Sequence, residues 1–219
     1  MLPSDLRMLI FDLDGTLYSL SPLRSLVVRD LLLYYALRPH RWRELQIIRT
    51  FRALREALGD QPHQNIAQYQ YEITAQATGT EITKVKKTIE AWMISRPIKH
   101  LRAIQYEEAS LIFAALREAD IKIAIFSDFP AKAKVQGMGL EADYILDATQ
   151  PEIDQLKPHP AGLRHLLAIS GLEAHQCLFV GDRDDRDGEA ARRVNMPYWI
   201  LPSGERPLSS LLAEVLGLR

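Results

Sequence analysis

Two aspartates separated by one residue, Asp12 and Asp14, stand directly after the apolar run Met8-Leu9-Ile10-Phe11 and directly before Gly15-Thr16. An unbroken apolar run of this length reads as a strand buried on both faces, and the glycine permits a sharp turn. Both carboxylates are therefore delivered at a strand's C-terminal end, where open α/β sheets keep their chemistry. There they can reach one reacting centre, Asp12 as nucleophile or metal ligand and Asp14 as proton donor and acceptor. A solvated turn after a core strand would use the same residue types. What separates the two readings is chemistry elsewhere in the chain. Ile121-Lys122-Ile123-Ala124-Ile125-Phe126 reads as a second strand and ends in Ser127-Asp128. Lys157 follows in Leu156-Lys157-Pro158-His159-Pro160, whose prolines hold the chain extended ahead of a helix. Cys177-Leu178-Phe179-Val180 then opens into the acidic loop Gly181-Asp182-Arg183-Asp184-Asp185-Arg186-Asp187-Gly188.

In this order the residues resemble the signatures of the haloacid dehalogenase-like (HAD) hydrolase superfamily: Asp-x-Asp-Gly-Thr, a Ser, a Lys, and Gly-Asp-x-x-x-x-Asp. The resemblance runs from about Arg7 to Leu201. It implies an α/β fold, a doubly wound and mostly parallel Rossmann-like sheet with an α-helical cap inserted after the first motif. It also implies roles. Asp12 would be the nucleophile that forms an aspartyl-phosphate, and Asp14 would protonate the leaving oxygen and then deprotonate water, work that asks for a raised carboxyl pKa. Ser127 would donate its hydroxyl to the phosphoryl group, and Lys157 would neutralise Asp12 and the phosphate together. Mg²⁺ would be held by Asp12, the Asp14 main-chain carbonyl and Asp182, with Asp187 as a further ligand or as support for one. An acid at Asp14 argues for phosphoryl transfer over dehalogenation, because a halide leaves without a proton. The expected activity is thus a Mg²⁺-dependent phosphatase acting on a small phosphorylated metabolite. A sugar-phosphate mutase and a non-catalytic phospho-ligand-binding or regulatory protein remain as alternatives.

The acidic loop has other possible uses. A calcium loop of EF-hand type fails, since aligning Gly188 with the required glycine puts Arg183 at the first ligand position and Val194 at the twelfth. A solvated set of Arg–Asp pairs stays open for Arg183, Asp184, Asp185 and Arg186. Asp128, after the serine, has no assigned role; His159 and His165 read as helix-start residues, and His175 lacks a metal-type partner.

Strands are absent from about Tyr18 to Gln105. Ser21-Pro22 is a helix start, and Ile47, Phe51, Leu54 and Leu58 form an apolar face that ends at Gly59. Ile66, Tyr69, Ile73 and Ala77 form another closed by Gly79, and Ile82, Val85, Ile89 and Trp92 a further one stopped by Pro97. From Tyr106 helices and strands alternate, with a short helix after Ser127, strands at Tyr144 to Leu146 and Tyr198 to Leu201, and helices after Pro160 and from Gly188. The expected division is a core of 1–17 with 106–219 and a cap of 18–105.

Composition restricts the setting. The chain has 219 residues, a formal net charge of −1 and 25% charged residues, which gives no global pull toward nucleic acid or membrane. The longest apolar helical stretch, Leu31 to Leu37, is far short of the roughly 20 residues of a transmembrane segment. The lone cysteine, Cys177, sits in a core strand, and Met1 to Asp5 lack the regions of a secretory leader. A cytoplasmic monomer or homodimer is expected. The segment Arg38, His40, Arg41, Arg43, Arg49, Arg52 and Arg55 is basic, either a solvated face or a surface for a substrate's second anionic group, a partner or a membrane, with Trp42 nearby. Tyr18 and Arg24 are expected to face the site by proximity to Asp14.

Overall fold

The computed structural model describes residues 2–59, 64–201 and 207–217. Strand β1 (Met8–Phe11) leads into a wholly helical insertion of α1 (Leu20–Ala36), α2 (Arg43–Leu58), α3 (Ile66–Thr78), α4 (Ile82–Ile89) and α5 (Ile98–Ile104). Alternation resumes with α6 (Glu107–Glu118), β2 (Lys122–Ser127), α7 (Lys132–Met138), β3 (Tyr144–Asp147), α8 (Ala161–Ser170) and β4 (Cys177–Gly181). It closes with α9 (Glu189–Arg192), β5 (Tyr198–Ile200) and α10 (Ser209–Leu216). All pairings are parallel, and the strand order is β3-β2-β1-β4-β5.

A parallel sheet needs helices on both faces, because each crossover returns over one face and the strands are apolar on both. Leu9, Phe11, Ile123, Ile125, Leu178 and Val180 project toward Ile112 and Phe113 of α6, Val135 of α7 and Leu211 of α10. Met8, Ile10, Ala124, Phe126, Cys177 and Phe179 project the other way, toward Leu163 and Leu166 of α8 and Ala190 and Ala191 of α9. Every residue of β1 is buried, so truncating Phe11 to alanine would cost about 3–5 kcal/mol. The sheet thus holds β1 rigidly between β2 and β4, and the C-terminal ends of all three meet where the strand order reverses.

The insertion leaves and rejoins the sheet at neighbouring points. Tyr18 pairs with Gln105 in an isolated antiparallel bridge, and the Tyr106 N–H donates to the Leu17 carbonyl at 3.1 Å. Asp30 of α1 binds Lys99 at 2.6 Å and His100 at 2.9 Å on α5, which ties the first and last inserted helices together. Ile47 and Phe51 of α2 pack on Val85 and Ile89 of α4. The apolar spacing on α2 departs from expectation by one position. Arg55 is buried and Leu54 only half-buried, because a helical repeat running through Ile47, Phe51 and Leu58 includes residue 55 as readily as 54. Helix α1 begins at Leu20, ahead of Ser21-Pro22, with the proline in the first turn where its missing N–H costs no helical hydrogen bond. The last inserted periodic segment continues past α4 as a π-helical turn, Glu90–Ser95. A second such turn, Asp184–Gly188, leads into α9, which begins at Glu189, one residue after the start that the sequence predicts. Among the described residues, no helix is long and apolar enough to cross a membrane.

Candidate active site

The turn after β1 is built by its glycine. Gly15 has φ of +107°, and a Cβ there would stand 2.4 Å from an Asp182 carboxylate oxygen. A side chain at residue 15 would therefore displace one of the acidic groups the turn is there to meet. Gly181 does the same at the end of β4, where a Cβ would lie 2.3 Å from Asp187 Oδ2.

On this frame Asp12 is buried, with Oδ2 accepting from Thr16 Oγ1 at 3.0 Å and Oδ1 accepting from Lys157 Nζ at 2.5 Å. Lys157 also donates to Asp187 Oδ1 at 2.7 Å, with its ammonium beside the rings of Phe126 and Phe179. Its main chain is fixed as well. The Lys157 N–H donates to Asp128 Oδ1 at 2.9 Å, and its carbonyl accepts from Arg186 at 2.6 Å. Asp128 thus acquires a structural job, and Arg186, expected in a solvated pair, is instead buried. Arg183 does pair with Asp185, at 2.7 Å, and Asp184 with Arg192 at 2.9 Å. His175 contacts Asp5 and Glu173 at the surface, and Cys177 is buried with its thiol pKa pushed up to about 11 by desolvation.

Carboxylate oxygens of Asp12, Asp182 and Asp187 all lie within 4.8 Å of one another. Three acids around one ammonium carry excess negative charge. Burial raises the pKa of Asp12, and repulsion from Asp187 and Asp182 adds to this against the pull of Lys157. Asp182 is pushed up to about 6, by burial first and then by Asp187. Burial alone would lower the Lys157 pKa, but its two carboxylate neighbours raise it instead. An all-oxygen set with surplus negative charge and no His or Cys suits a hard divalent cation, so these residues fit the metal that the sequence implied.

Asp14 lies beside this cluster, and its carboxylate accepts from Lys134 Nζ at 2.6 and 2.8 Å, from Ser127 Oγ at 3.3 Å and from the Tyr18 hydroxyl. Asp12, Asp14, Ser127, Lys157, Asp182 and Asp187 are therefore brought together at the ends of β1, β2 and β4. The expected raised pKa of Asp14 is overturned. Burial pushes it up, but the Lys134 ammonium and the Tyr18 hydrogen bond outweigh burial and hold it below the ordinary 3.8. Sequence reading passed over Lys134, although Ala131, Lys134, Val135 and Met138 repeat at helical spacing and all four are buried.

Above the acids lies a cavity of 440 Å³ lined by α1, α2, the Glu90–Ser95 turn and Phe129, with Tyr18, Arg24, Arg52 and Arg55 on its wall. Residues 6–195 match the haloacid dehalogenase-like hydrolase family. The chain belongs to the HAD-like hydrolases. A phosphoglycolate phosphatase of Rhodospirillum rubrum is 35% identical over 112 residues, 48% of this chain and 46% of that protein. The chain thus matches about half the length of that relative. Among solved structures, the magnesium-bound HAD hydrolase YfnB of Bacillus subtilis superposes with a TM-score of 0.67 at 15% identity, covering 97% of this chain and 99% of that one. A 2-haloacid dehalogenase of Pseudomonas syringae pv. Tomato gives 0.64 at 18% identity, covering 97% and 98%. At these identities the structures establish a common HAD fold for proteins of differing chemistry.

Proposed function

We propose that this HAD-like hydrolase is a Mg²⁺-dependent phosphomonoesterase for a small phosphorylated metabolite, with residues 1–17 and 106–219 as its core and 18–105 as its cap. One observation carries the reading: a buried Asp12 carboxylate aligned by Thr16 and Lys157, with a second carboxylate, Asp14, at the same strand end. A dehalogenase has no use for that second acid. In the first step an Asp12 oxygen attacks phosphorus, the bond from phosphorus to the leaving oxygen breaks, and Asp14 gives that oxygen its proton. In the second, Asp14 takes a proton from water, the water oxygen attacks phosphorus, and phosphate leaves with Asp12 restored.

Lys134 and Tyr18 keep Asp14 ionised before substrate arrives, which suits its part as base. A negatively charged phosphoryl group beside it raises its proton affinity, so as substrate binds Asp14 takes up a proton, from solvent or from the phosphate monoanion, and that is the proton it gives to the leaving oxygen. Lys157 neutralises Asp12 and aligns it, and the Ser127 hydroxyl is a donor for a phosphoryl oxygen. Mg²⁺, held by the carboxylates of Asp12, Asp182 and Asp187 with the Asp14 main-chain carbonyl, would supply positive charge against the approaching phosphate.

Phosphate release from a panel of phosphorylated metabolites, with Mg²⁺ and with chelator, tests the proposal. Metal-dependent release from some members is expected. Conversion of a sugar phosphate into its isomer without phosphate release would instead make the chain a mutase, and inertness throughout would refute both.

A further inference from the structure

Beyond the acids the residues that line the cavity are mostly apolar. Leu20, Leu23, Val27, Val28 and Leu31 of α1 line it at one helical spacing, a stripe of about 16 Å along the helix axis. Ile48, Met93 and Phe129 line the same cavity from α2, the Glu90–Ser95 turn and the loop after β2. Two of the polar groups of this upper region are already committed. Arg55 is buried, bonded to Gln70 and to the Asp128 carbonyl, and its guanidinium lies 3.9 Å from the Phe129 ring centroid. Glu56 is held by Arg183 and Arg186. Arg24 and Arg52 are exposed and make no ion pair among the described residues.

A sugar or a hydroxylated acid lodged against the α1 stripe would find Arg24 alone among the cavity-lining side chains of α1 to bond its hydroxyls, and would give up water along the rest without receiving partners. A hydrocarbon would gain contact and lose nothing. We infer that the substrate is an amphiphilic phosphomonoester: its phosphate meets Asp12, Ser127 and Lys157, and an apolar body, aliphatic or prenyl-like, lies along Leu20, Leu23, Val27, Val28 and Leu31. The inference rests on the phosphatase reading and narrows its substrate class. The cavity volume of 440 Å³ is enough for a body of this kind.

The test uses the full chain with Mg²⁺ and a series of n-alkyl phosphates from ethyl to octyl, with p-nitrophenyl phosphate alongside. kcat/KM is expected to climb by about two- to fourfold per added methylene until the cavity is filled. A flat or falling series, with p-nitrophenyl phosphate turned over, overturns the inference and leaves the phosphatase reading standing. Absence of any hydrolysis, p-nitrophenyl phosphate included, removes the phosphatase reading and the inference with it. Val28 is half exposed, so Val28→Glu is accommodated by the fold, and it is expected to cut the octyl-to-ethyl ratio of kcat/KM at least tenfold. Leu33, also exposed on α1 but off the cavity, serves as the control. If Leu33→Ser collapses the ratio as Val28→Glu does, long chains are adsorbing to the surface, and the pocket is not the cause.

Discussion

Asp182→Asn is expected to stabilise the metal-free protein while disabling it. In the unfolded chain an aspartate releases its proton near 3.8, whereas the folded protein holds the Asp182 proton to about 6, because burial and Asp187 disfavour its charge. Between those values the folded state binds more protons than the unfolded one, so stability falls as pH rises, and above pH 6 the whole penalty persists. At about 1.4 kcal/mol per pH unit the penalty is bounded near 3 kcal/mol, and partial access of water to the carboxylate brings it to about 2 kcal/mol. Asparagine keeps the shape and abolishes the charge. In chelator at pH 8 the variant should therefore melt about 4–8 °C above wild type, and the gain should shrink to about a third of that at pH 4.5, on its way to zero below the unfolded pKa. On the proposed function Mg²⁺ would bind the folded state through Asp12, Asp182 and Asp187, so adding it should raise the wild-type melting temperature and move the variant much less. Thermal melts at both pH values, with and without Mg²⁺, read all of this. A variant that melts at or below wild type in chelator at pH 8, or gains equally at pH 4.5, refutes the charge-crowding argument.

Asp12→Asn should abolish phosphate release with the fold retained; more than a few per cent of residual turnover by the purified variant would mean that Asp12 is not the nucleophile. Activity should require Mg²⁺ and be suppressed by Ca²⁺, which takes more ligands at longer distances and would hold the Asp12 carboxylate out of attacking geometry; full activity after exhaustive chelation rules that out. Lys134→Met leaves the Asp14 carboxylate without its ammonium, with Lys134 itself almost wholly enclosed and Asp14 a quarter exposed, so unfolding in urea at pH 7 should show a loss of about 2 kcal/mol. Because the folded pKa of Asp14 lies below its unfolded value, that loss should persist above pH 4 and fade as pH drops through the folded pKa, and a pH-independent loss would assign it to packing.

The parts legible in the sequence were those where chemistry and chain position coincide. Asp12 and Ser127 follow an apolar run directly and Asp14 and Asp182 follow one within three residues; a strand buried in a parallel sheet is apolar, so its end is marked in the sequence. Lys157 was found by order and by its flanking prolines. Lys134 and Arg55 were not found, because a basic residue in a helix normally reaches solvent, and each was read as doing so or not read at all. Both nevertheless fall within an apolar repeat: Lys134 between Ala131 and Met138, and Arg55 between Phe51 and Leu58. A charged residue on the buried stripe of a helix has to find a partner across the chain, and these find Asp14 and the Asp128 carbonyl. The lowered pKa of Asp14 was beyond reach for the same reason, since its main cause lies 120 residues away in sequence.

Those cross-chain partners also couple the insertion to the chemistry below it. Arg55 of α2 holds the carbonyl of Asp128, the residue after Ser127, while the Asp128 side chain holds the N–H of Lys157. Arg186 grips the Glu56 carbonyl at the end of α2 with one nitrogen and the Lys157 carbonyl with another, at 2.9 and 2.6 Å. Both peptide groups of Lys157 are thus one hydrogen-bonded step from α2. Moving α2 away would break the Arg55 and Glu56 contacts and leave Asp128 and Arg186, the two supports of the Lys157 main chain, without their upper partners. An ammonium that must sit 2.5 Å from Asp12 tolerates little slack in its backbone. The seating of α2 and the backbone that aligns Lys157 on Asp12 are therefore linked through Asp128 and Arg186.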